Sequence, residues 1–128
     1  MTKKRAFKTK TFSKWMRKTD LKDQDLFVAV TEMEAGLIDA DLGGNVYKKR
    51  IALPGIGKRA GARTLVAGKF SRKWFFLFGF IKNEKDNINN DELVHLQGTA
   101  NRLLGLTDQD IEEAILAGEL KELINNAK

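Results

Sequence analysis

The stretch "VYKKRIALPGIGKRAGARTLVAGKFSRKWFFLFGFIK" (residues 46–82) decides the fold. Its last third, Lys73–Lys82, is nearly continuous in aromatic and branched residues, as in a strand covered on both faces, and so marks the centre of a sheet. Val46–Leu53 and Ala62–Phe70 read as two further strands in which apolar residues mix with cations. Only "PGIGKRAG" links the first to the second, and only "SRK" the second to the third. Links this short join antiparallel neighbours, so residues 46–82 form a three-strand meander.

The glycines of this stretch do not build a nucleotide loop. A Walker A motif needs G-x-x-x-x-G-K-[ST] followed by a helix, whereas Gly61 is followed by Ala62, Arg63 and a strand. Gly55, Gly57 and Gly61 are spaced G-x-G-x-x-x-G, which also misses the dinucleotide pattern. They are read instead as a hairpin tip with glycine-type backbone angles.

On the N-terminal side, Phe12, Trp15 and Met16 in "TFSKWMRK" make one apolar helical stripe, with Thr11 as the N-cap. A second helix is read from Asp20 to Ala35, stopped by Gly36. After Asn87 the pattern returns to helix, with Leu93, Leu96, Ala100, Leu103 and Leu104 at helical spacing. Thr107 then caps "TDQDIEEAILAG", with Asp110 three residues on as the acid of a capping box. Residues 119–128 are left as a tail. His95, Trp15 and Trp74 are read first as packing residues, as is Tyr47.

These elements predict an α+β fold in one domain spanning 1–128: two N-terminal helices on a small antiparallel sheet, with a further N-terminal strand allowed for, and added C-terminal helices. The chain has 128 residues, 42% of them hydrophobic, enough for one core. Without cysteine and with a single histidine, it offers little to disulfides, zinc or histidine catalysis, and neither a metal nor a cofactor is expected. The basic N-terminus has no apolar run behind it, and nothing approaches the ~20 apolar residues of a membrane span. A cytoplasmic protein is the simplest expectation.

The net charge of +6 hides a segregation along the chain. Residues 1–20 carry +7, 21–47 carry −5, 48–85 carry +10 with Glu84 their only acid, and 86–128 carry −6. A +10 block inside a folded domain points to a polyanion, attracted by counterion release and long-range steering. Alternation on antiparallel strands puts Lys48 and Arg50 on one face, where Arg63 of the next strand joins them. Lys82 lies at the same end of the sheet. Converging guanidinium and ammonium groups can hold an RNA phosphate and neutralise charge that builds on it.

"KKRIALPGIGKRAGARTLVAG" and "FFLFGFIKNEKDNI", set behind two helices, resemble the RelE/ParE toxins of bacterial type II toxin–antitoxin modules, and most of all their phage-type, HigB-like RelE branch. The resemblance covers about residues 7–87, with about 88–128 as a helical extension. It implies a ribosome-dependent mRNA endoribonuclease that needs no metal, in which the 2′-hydroxyl attacks the adjacent phosphorus. Arg63 and Lys82 would then stabilise the phosphorane, Arg50 or Lys48 would position the chain, and Glu84 would act as base. Lys49, Lys58, Arg59, Lys69, Arg72 and Lys73 complete the RNA-binding set. The family's middle basic residue is Asn83 here, and its following tyrosine has no counterpart among Asn87, Ile88 and Asn89. The resemblance also implies a cognate antitoxin, with a helix-turn-helix domain as the family expectation. Two alternatives stand beside this reading: a ParE-like DNA gyrase poison, and a non-catalytic basic nucleic-acid-binding module.

Overall fold

Phe75 and Phe76 are adjacent in sequence, both fully buried, and packed into different cores. They lie on β5 (Lys73–Ile81), an interior strand of the sheet, as the run of aromatic residues requires. The computed structural model describes residues 5–53, 57–68, 73–81 and 88–123, without the side chains of 57–60. In chain order the elements are β1 (Arg5–Thr9), α1 (Lys10–Met16), α2 (Asp23–Glu34), β2 (Ala40–Asp41), β3 (Val46–Leu53), β4 (Gly57–Gly68), β5, α3 (Asn90–Leu104), α4 (Asp108–Leu116) and β6 (Leu120–Glu122).

Among the described residues these strands form one six-stranded sheet in the order β2-β3-β4-β5-β1-β6. The meander β3-β4-β5 is antiparallel throughout, as read from its short links. The sheet as a whole is mixed, because β1 joins β5 in parallel, with Phe7 opposite Phe75. A parallel partner requires a crossover, and α1, α2 and the rest of the meander supply it. The tail contains a strand that the sequence pattern did not reveal: β6 pairs antiparallel with β1 and covers its outer edge.

The two faces of the sheet are each covered by helices. Phe12 and Met16 of α1 and Leu26, Val30 and Met33 of α2 pack on the face that carries Ala62, Val66 and Phe76. Leu96, Ala100 and Leu103 of α3 and Ile111 of α4 pack on the face that carries Phe7, Leu65 and Phe75. Each fully buried phenylalanine contributes roughly 1.5–3 kcal/mol from the area removed from water. The C-terminal helices are thus one of three layers and not an appendage.

Several local readings shift by a few residues. Helix α1 is capped by Thr9, not Thr11: its Oγ1 accepts from Phe12 N at 3.2 Å and donates to Leu77 O at 3.3 Å, joining the end of β1 to β5. Helix α2 begins at Asp23, where Lys22 N donates to Asp25 at 2.9 Å, three residues after the expected start. It ends as foreseen, with Gly36 at φ +92°, Gly36 N bonded to Met33 O and Leu37 N to Glu32 O. Strand β4 starts at Gly57, five residues before Ala62, so Gly57 opens the strand opposite Leu53 and Gly61 lies within it, while Gly55 lies outside the described residues. The Thr107–Asp110 capping box is present as read.

One irregularity matters for the site. Leu65 pairs with Phe78 and Val66 with Phe76, leaving Leu77 as the extra residue of a β-bulge in β5. Strict alternation would send Phe78 towards α1 and α2. The bulge instead puts Leu77 and Phe78 side by side under α3 and α4. Gly79 then faces the other layer, where a Cβ would come within 2.3 Å of the Trp15 ring, so only glycine fits.

Candidate nucleic-acid interface

Arg50 and Arg63 are cross-strand partners on β3 and β4, and Lys48 lies opposite Leu65 on the same face. The alternation argument for this trio therefore holds. Strand β3 is fixed at this point by Asp39, whose Oδ2 accepts from Arg50 N at 2.7 Å, and by Thr64, whose Oγ1 donates to Lys49 O at 2.8 Å. Arg50 projects into solvent, while Arg63 is 6% exposed and donates from Nη1 to Gly61 O at 3.0 Å. That bond runs two residues back along its own strand and fixes the direction of the guanidinium. Phe80 faces Arg63 from β5, and its ring lies 6.2 Å from that of Phe78.

Like charges directly opposite each other across a sheet normally cost stability. The register sets two arginines side by side on one face, and guanidinium forks are donors suited to phosphate. The basic focus is therefore smaller than the charge block suggested.

Lys49 leaves the set of candidate contacts. It points to the other face, is 3% exposed, and pairs with Glu32 of α2 at 2.9 Å while donating to Leu37 O at 2.9 Å. Alternation forces this, because Lys49 lies between Lys48 and Arg50. Lys73 is also committed elsewhere, its ammonium 2.9 Å from Asp108 at the start of α4. The hydrogen bond from Lys73 and its charge hold the Asp108 carboxyl below its ordinary value of 3.8. The side chains of Lys58 and Arg59 on β4, and Lys69, Arg72, Lys82 and Glu84 entirely, lie outside the described residues. Trp74 is buried and donates from Nε1 to Glu34, and Tyr47 packs against it, with ring centroids 6.3 Å apart. His95 is exposed and does not serve as a packing residue.

Sequence reasoning missed a second feature on this side of the sheet. A cavity of about 1060 Å³ opens between α3, α4 and the start of α1, with Phe78 among its lining residues. No periodicity in the sequence marks it, because it depends on how two helices far along the chain settle against β5. Arg5 anchors that arrangement: its guanidinium bonds Glu122 of β6 at 2.8 and 2.9 Å and Glu112 of α4 at 3.1 Å. Those partners, Glu122 first, raise its pKa above the usual arginine value. Among the described residues there is no group of three or more His, Asp or Glu placed to hold a metal ion, and no helix long and apolar enough to cross a membrane.

No curated protein matches the sequence. The family model for the RelE toxin of the RelE/RelB toxin–antitoxin system matches residues 4–123, a span that takes in both helical layers and the whole sheet. With an α+β architecture and a basic end of the sheet to go with that match, the chain belongs to the RelE toxin family and is the toxin of a toxin–antitoxin system.

Proposed function

We propose that this toxin is a ribosome-dependent mRNA endoribonuclease. The observation that carries the reading is the placing of Arg50 and Arg63 as partners on adjacent strands, with Lys48 on the same face, a concentration of donors suited to phosphate. In this mechanism the RNA 2′-oxygen attacks the adjacent phosphorus in line, the 5′-oxygen of the next nucleotide leaves, and a 2′,3′-cyclic phosphate remains. Arg63, fixed by Gly61 O, stabilises the negative charge that grows on the non-bridging oxygens. Arg50, with Lys48 beside it on β3, draws the strand into register. Glu84 is proposed to take the proton from the 2′-hydroxyl and Lys82 to assist at the phosphorane. Both rest on their place in the sequence just after β5. An unperturbed carboxylate is a weak base at neutral pH, so Glu84 would need a raised pKa. The site works in the cytoplasm, on translating ribosomes, until the antitoxin binds.

Induced expression in a bacterial host, with mapping of mRNA 5′ ends, tests this. Cuts inside translated codons are expected with the wild type and not with Arg63→Ala. Growth arrest with intact mRNA would overturn the nuclease reading and favour gyrase poisoning. Equal toxicity of both proteins would remove Arg63 from the mechanism.

A further inference from the structure

The groove between α3 and α4 is left unused by the proposed chemistry, and its composition reverses that of the molecule. Its floor is aliphatic and aromatic, from Leu77, Phe78, Leu96, Leu103, Leu106 and Leu120. Its rim holds the carboxylates of Asp91, Glu92, Asp110, Glu113 and Glu119 against two cations, Lys10 and Arg102. In a chain of net charge +6 this is a locally acidic site, which repels a phosphate-bearing ligand. Nucleic acid held at Arg50 and Arg63 would be kept out of it.

Two further observations show that the groove is built into the fold. The bulge at Leu77 costs a place in the β4–β5 ladder, and its structural effect is to turn Phe78 onto the groove floor beside Leu77. The walls are held in position by Arg5–Glu112, by Lys73–Asp108, and by Lys10 N bonded to Glu119 O at 3.2 Å. A volume of about 1060 Å³ lies at the upper end of small-molecule pockets, and an apolar floor with charged edges suits side chains from one face of a helix.

We infer that this groove docks a cationic amphipathic helix from a partner protein. Its aliphatic face covers Phe78 and the leucines of the floor, and its lysines and arginines meet the rim carboxylates, Glu113 and Glu119 foremost. The inference does not depend on RNA cleavage, since it uses neither Arg50 nor Arg63.

The test uses the full chain and a fluorescein-labelled peptide of about four helical turns, built of leucine and lysine with leucines at i, i+3, i+4 and i+7. Anisotropy should report saturable binding. Affinity should fall about tenfold for a leucine–glutamate peptide of the same pattern, and similarly for a scrambled leucine–lysine peptide. Glu113→Lys should weaken binding about tenfold by reversing rim charge, and Ala117→Trp should do so by filling the groove from an exposed position. Asp20→Lys, an equal charge change away from the groove, should leave affinity unchanged. Circular dichroism of each variant distinguishes lost binding from lost fold. Equal affinity for all three peptides, or equal weakening by Asp20→Lys and Glu113→Lys, would overturn the proposal. So would self-association of the chain that Ala117→Trp abolishes, since the occupant would then be a second copy.

Discussion

Arg50 and Arg63 face each other directly across β3 and β4, one exposed and one buried. Like charges directly opposite each other are destabilising unless other groups offset them, and Arg63 also donates to Gly61 O. Arg50, the exposed member, is therefore the one whose removal should harm the function with little effect on the fold. Arg50→Thr is expected to lower mRNA cleavage while leaving unfolding free energy within about 0.5 kcal/mol in urea titrations, as for most exposed positions. Arg63→Ala should reduce cleavage by about 100-fold or more with the far-ultraviolet spectrum retained. Arg63→Lys should recover only part of that loss, because a point charge replaces a fork.

Lys49 provides the contrasting case. Its ammonium is buried and paired with Glu32, so Lys49→Ala leaves a half-buried carboxylate and the Leu37 carbonyl without this partner. Breaking a buried ion pair from one side typically costs about 3–5 kcal/mol, and the lower end applies here because Glu32 keeps some solvent contact. Chemical denaturation should show that loss, whereas cleavage per folded molecule should match the wild type. A drop in cleavage at full stability would return Lys49 to the RNA-binding set.

Gly79 and Trp15 form a space-filling pair. Adding a Cβ at position 79 places it 2.3 Å from the indole ring, and overpacking of this kind costs about 1–3 kcal/mol. Gly79→Ala should lower the melting temperature, and Trp15→Leu, which trims the ring, should recover part of the loss. A double-mutant cycle with no coupling between positions 15 and 79 would contradict the contact.

Asp108 gives a small effect with a defined sign. Its carboxyl is held below 3.8 by Lys73, so the ionised form is favoured in the folded state. The contribution is full above the unfolded value and is lost as pH falls through the lower folded value. Thermal melts of wild type and Asp108→Asn should therefore differ by a constant amount well above the ordinary value of 3.8, narrow as pH falls past it, and converge only below the lowered folded value, where the carboxyl is protonated in both states. A gap that widens towards acid pH would reverse the assignment.

Much of the architecture was legible because it is written in short-range pattern. The β5 run, the short links of the meander, Gly36 as a helix stop and the Thr107–Asp110 capping box each depend on neighbours within a few residues. Strand alternation alone puts Lys48 and Arg50 on one face, with Arg63 expected to join them, whereas its direct pairing with Arg50 depends on register. Lys49 was misread because a block of charge says nothing about which face each member takes. The same alternation that unites Lys48 and Arg50 sends Lys49 beneath α2.

By itself, the sequence determined an α+β domain with helices before and after a basic meander, and that Lys48 and Arg50 share a strand face. Tertiary structure alone decided the rest. The pairing of β1 and β6, the bulge that turns Phe78, and the acidic groove under α3 and α4 all arise from contacts between residues distant in the chain. Those contacts are chosen by how whole faces pack against one another, a long-range choice that no local period encodes.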